Sequence, residues 1–140
     1  MQVWRSMYMI IWIAFFQIVF ILFSPLAEAV NVGVHVFVAL AIIGLAFHIY
    51  RDVNRTSCPG RIKRITKATW YLAVVQGALG VALVAGLTLS LGPSYVSFVS
   101  FLHVVNALAI ITQASSSATA YDMWEEREFQ ANVAPSAVSP

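Results

Sequence analysis

Residues 30–50 read VNVGVHVFVALAIIGLAFHIY: twenty-one residues without a formal charge, interrupted only by His35 near one end and His48 near the other. About 20 predominantly apolar residues are enough for a helix to cross the roughly 30 Å hydrocarbon core of a bilayer. Working outward from this segment, the chain shows three more such runs, at about 7–23, 68–91 and 95–121. The stretches between them, 24–29, 51–67 and 92–94, are too short for anything but antiparallel neighbours. The expected fold is an all-α integral membrane protein, an antiparallel up-down-up-down bundle of four transmembrane helices. It forms one domain over residues 1–121. Residues 122–140 are expected to be a cytoplasmic tail, disordered after a charged helix end at Glu125-Glu126-Arg127-Glu128.

Composition agrees. Of 140 residues, 60% are hydrophobic and 10% charged, and the mean hydropathy is +0.81. Six of the eight basic residues, Arg51, Arg55, Arg61, Lys63, Arg64 and Lys67, fall between the second and third runs. The other two, Arg5 and Arg127, flank the first and last. In a four-span chain these regions share one side, which the positive-inside rule makes cytoplasmic, together with both termini. The net charge of +2 is therefore read as a topology signal facing lipid headgroups, not as a nucleic-acid surface. The expected location is the plasma membrane. The one cysteine, Cys58 in Thr56-Ser57-Cys58-Pro59-Gly60, has no partner and reads as a free thiol in a turn.

The first run admits a second reading. Arg5, the apolar stretch and Ala27-Glu28-Ala29 resemble a secretory leader with an Ala-x-Ala cleavage site. Seventeen residues rich in Trp, Phe and Tyr exceed the usual leader core of about 7–15 residues, which favours a retained helix.

His35 and His103 each lie a few residues inside an apolar run, and by the charge rule both come out at the same, external depth. An ionisable side chain in a span is costly and usually binds something. Two imidazoles at one depth are what a haem iron takes as axial ligands, with their ring nitrogens roughly 4 Å apart. The competing reading is that each ring only hydrogen-bonds within a packed bundle. His48 follows His35 by 13 residues, which places it some 140° around the helix and about 20 Å deeper. It has no second histidine at that depth and is read as interfacial.

Two other polar patterns stand out. His103, Asn106, Gln113 and Ser117 share one face of the fourth run, and Ser115, Ser116 and Thr119 add hydroxyls beside it. Such a stripe should turn into the bundle, for inter-helix hydrogen bonds or as a polar path. In the third run, Gln76 needs a partner inside the bundle. Ala78, Ala82 and Gly86, with Gly77 and Gly80, form a small-residue surface suited to close helix packing or to a planar macrocycle.

The stretch Gln76-Gly77-Ala78-Leu79-Gly80, followed by Leu91-Gly92-Pro93 and then Leu102-His103, resembles one half of a haem A synthase. In that family a Gln-Gly-x-x-Gly helix leads through a short proline-containing outer loop to a helix that begins with Leu-His. The resemblance covers roughly residues 30–120. Typical members have two four-helix halves, so this chain is similar to a compact, half-size version. It implies His35 and His103 as axial ligands of the haem iron, with Gln76, Gly77 and Gly80 at the cofactor site. It also implies haem b as cofactor and haem O and haem A as substrate and product. The implied activity is an oxidoreductase that oxidises the methyl group of haem O in terminal oxidase maturation. The chain departs from the pattern at Val32 and Val36, where the family carries a glutamate and an arginine, and it lacks the family's outer cysteine pair. Glu28 is the nearest acid and the sole candidate for a catalytic carboxylate. A b-type cytochrome and a non-catalytic membrane subunit or assembly factor remain as alternatives. The half-size layout implies a homo-oligomer or a place in a respiratory oxidase complex.

Overall fold

The computed structural model describes residues 3–133. Four helices follow one another: α1 (Val3–Phe23), α2 (Glu28–Asn54), α3 (Gly60–Thr88) and α4 (Pro93–Val133). All four are long and apolar enough to cross a membrane. Each packs against its sequence neighbours, and α1 packs against α4, which closes the four into a bundle with α2 and α4 on one diagonal.

The buried positions explain the packing. They include Met7, Ile10, Ala14 and Gln17 on α1; Ile42, Ala46, Ile49 and Val53 on α2; Ile62, Thr66, Thr69 and Ala73 on α3; and Ile110, Ala114, Ser117 and Tyr121 on α4. Steps of three and four keep each set on one helical face. Large apolar residues such as Phe16, Phe37, Val81 and Phe101 are more than 60% exposed. Such a surface is at home in hydrocarbon, where burying apolar side chains brings no hydrophobic gain and close contact does the packing. Gly86 shows this most clearly. A Cβ placed there would lie 2.4 Å from the Tyr95 ring, and the Tyr95 hydroxyl donates to the Ala82 carbonyl at 3.3 Å. The Ala82–Gly86 part of the small-residue surface is thus used within the bundle, while Ala78 is exposed.

The helices outrun the apolar segments. The basic stretch expected to be a loop over 51–67 narrows to residues 55–59, because α2 continues through Asn54 and α3 begins at Gly60. Arg and Lys are good helix formers, so loss of hydropathy does not end a helix. The turn itself is pinned by Lys63, whose ammonium donates to the carbonyls of Thr56 (2.8 Å) and Asn54 (3.4 Å), compensating the negative end of α2. Tyr50 stacks on Trp70 at 5.6 Å, and Lys67 sits over the Tyr71 ring, an aromatic collar of the kind found at membrane surfaces. Cys58 is a free, buried thiol in this turn.

The chain after Tyr121, expected to be a charged helix end running into a disordered tail, stays helical as far as Val133. It has no Gly or Pro before Pro135, and the Gln130 amide donates to Glu126 one turn back. Residues 134–140 of that tail lie outside the described residues. At the other end of the bundle, α3 closes with a left-handed Ser90 (φ 52°) and a Leu91 N–H to Gly86 carbonyl bond of 3.0 Å. This is the Schellman pattern. Gly92, at φ 93°, makes the reversal that sets Pro93 at the first position of α4.

Candidate functional site

His35 stands seven residues after the start of α2 and His103 ten residues after the start of α4. At 1.5 Å per residue this is about 10 and 15 Å along each helix. Because α2 and α4 lie on a diagonal, both rings point across the middle of the bundle. Their centroids are 6.1 Å apart, with 43° between the ring planes. The tilt excludes flat stacking. Imidazoles bound head-on to one iron, with nitrogens roughly 4 Å apart and each centroid about 1 Å behind its nitrogen, would have centroids about 6 Å apart. The observed centroid spacing is of that size.

The histidines border a cavity of about 360 Å³ with walls from all four helices. This is within the roughly 300–1,000 Å³ of small-molecule sites. Ala39 and Ala107, one helical turn beyond each histidine, leave the space open, and Ile42, Ala73 and Ile110 floor it. Ile21, Leu22 and Val104 line the cavity and are also exposed, so it reaches the outer surface where α1 meets α4.

The Nδ1 atoms of both rings are buried and have no hydrogen-bond partner. Buried polar atoms left in that state are uncommon and call for an explanation. The donor set narrows what the pair could hold. Among the described residues no group of three or more His, Cys, Asp or Glu could hold a metal ion. Two imidazoles fall short of the ligands a zinc ion takes, but they are the number an iron takes when a macrocycle supplies the rest.

Of the residues expected at the site, Gln76 and Gly77 line the cavity beside His103. A Cβ at Gly80 would come to 3.6 Å from His103 Cε1, so Gly80 packs against the imidazole and does not face the cavity. Gln76 finds the partner it needs: the Asn106 amide donates to Gln76 Oε1 at 2.8 Å and to the Leu72 carbonyl at 2.9 Å. The rest of the α4 stripe goes elsewhere. Ser117 is 1% exposed in the lower core, far from the histidines. Glu28 is exposed at the start of α2 and is not part of the cavity wall. His48 is also exposed and pairs with Asp52 at 3.1 Å.

One residue escaped the sequence reading. Gln17 is 8% exposed on α1; its amide donates to the His35 carbonyl, while its Oε1 is buried without a partner at the cavity wall. The signal was present, since Gln17 is the only amide within the first apolar run and polar groups in spans rarely lack a role.

No protein-family model, curated protein or solved structure matches the chain.

Proposed function

We propose that this is a haem-binding membrane protein in which His35 and His103 are the two axial ligands. The observation that carries the reading is a pair of imidazoles 6.1 Å apart at the edge of a cavity walled by all four helices. In this reading Gln17 braces α2 through the His35 carbonyl, Gly80 makes room for the His103 ring, and the apolar walls exclude water. When bound, the haem iron supplies one-electron redox chemistry. Ligation from both sides suits a b-type cytochrome passing electrons within a respiratory membrane. So does a cavity wall that contains no Asp or Glu among the described residues.

A haem A synthase-like oxidation of the haem O methyl group is the second reading. It is favoured by the presence of Gln76, Gly77 and His103, three residues of the resemblance, around one cavity. It requires either that one histidine leave the iron or that a second site be present, because a bis-histidine iron has no position for oxygen. A second copy of the chain or a partner oxidase would provide that site. In both readings the basic end faces the cytoplasm, as the positive-inside rule implies, and the membrane we propose is the plasma membrane.

A reduced-minus-oxidised spectrum of the purified full chain tests haem binding, and extraction of the pigment separates the readings. Haem b alone means the cytochrome; haem A formed from haem O means the enzyme. A chain produced with ample haem that contains none refutes both.

A further inference from the structure

A second feature lies at the opposite end of the bundle. Between α3 and α4 runs an open groove of about 690 Å³, lined by Arg61 and Ile65 on one side and by Ile111, Ser115 and Thr119, among others, on the other. We infer that this groove binds the phosphate-bearing headgroup of an anionic glycerophospholipid.

Thr112 follows the start of α4 by 19 residues, about 28 Å of helix, so the hydroxyl cluster begins where a hydrocarbon core of about 30 Å ends. Ser115, Ser116 and Thr119 are exposed on the bundle's outer face, at a depth that corresponds to the headgroup layer. Thr112 and Ser116 donate to carbonyls of their own helix at 2.9 Å. Ser115 and Thr119 have no such bond among the described residues and are free to donate outward. Opposite them, Arg61 is exposed and takes part in no ion pair among the described residues. Its planar guanidinium matches two phosphate oxygens at once. Ile65 and Ile111 continue the groove as an apolar track for an acyl chain, and none of its lining residues is acidic. Arg64 and Lys67 on the same end of α3 raise the local concentration of anionic lipid further.

The test uses the full chain in phosphatidylcholine nanodiscs that contain a minority of photoactivatable phosphatidylglycerol. The expected label falls on α3 near Arg61 and on α4 between Ile111 and Met123. Arg61→Ala should lower it roughly ten-fold, the effect of losing one charge-assisted bond to phosphate. Arg55→Ala, at the same end but off the groove, should change it far less. The pair Ser115→Ala and Thr119→Ala should lower it several-fold with no change of charge, which general surface attraction would not do. Circular dichroism in the same discs confirms that each variant is folded. Four outcomes overturn the proposal: even labelling of all helix ends, equal effects of Arg55→Ala and Arg61→Ala, displacement by inorganic phosphate, or protection of the groove by a second copy.

Discussion

Replacing Ala107 by leucine puts three extra carbons into the cavity one turn from His103, without altering either imidazole. The size of the effect follows from the cavity. At about 360 Å³, the cavity has room for those carbons without displacing its walls. Filling part of it should therefore stabilise the haem-free protein by about 1 kcal/mol, the added van der Waals contact of three carbons. The same substitution should lower haem content at least ten-fold, because the leucine and the macrocycle compete for one space. Reversible unfolding of the haem-free protein in mixed micelles reads the first quantity, and haem per chain after purification reads the second. An Ala107→Leu protein that keeps its full haem content refutes the reasoning. So does one that loses haem only because the haem-free protein is itself destabilised.

Other substitutions reach separate parts of the structure. His35→Ala and His103→Ala should each abolish the low-spin spectrum, and added imidazole should restore it in part; a variant with unchanged haem content and spectrum would remove that histidine from the site. Gly86→Ala should destabilise the bundle by about 1–3 kcal/mol as Tyr95 is forced aside, and Tyr95→Ala in the same chain should relieve most of that loss in unfolding measurements. Asn106→Leu should cost on the order of 1 kcal/mol, within the range of inter-helix hydrogen bonds in membranes. In a double-mutant cycle its effect should be non-additive with that of Gln76→Leu. Reporters placed at residues 55–63 and at the C-terminus should be cytoplasmic, and one at residues 92–94 external; the reverse would place the histidines at the inner face.

Several features were legible without coordinates because they depend on local composition. Four runs of about twenty apolar residues dictate four helices, since a chain in hydrocarbon must satisfy its backbone hydrogen bonds within each segment. The helix ends were less legible. Hydropathy marks where the membrane stops, whereas helices stop where backbone geometry changes, at Ser90 and Gly92 or at the turn before Gly60. This is why α2, α3 and α4 extend beyond the apolar runs, and why residues 122–133 are helical although charged.

The site divides along the same line. The residue order by itself determined that His35 and His103 lie a few residues inside the matching ends of their apolar runs, because that is only a residue count. It also determined that Gln76 and Asn106 require partners. It could not show that the two imidazoles meet, because that depends on how each helix is rotated about its own axis. Rotation is decided by contacts between helices: Gly86 against Tyr95, Asn106 against Gln76 and Gln17 against the His35 carbonyl. Tertiary structure alone also decided that the histidines border a cavity. Ala39 and Ala107 lie far apart in the chain, and only packing brings their missing side-chain volume together in one place.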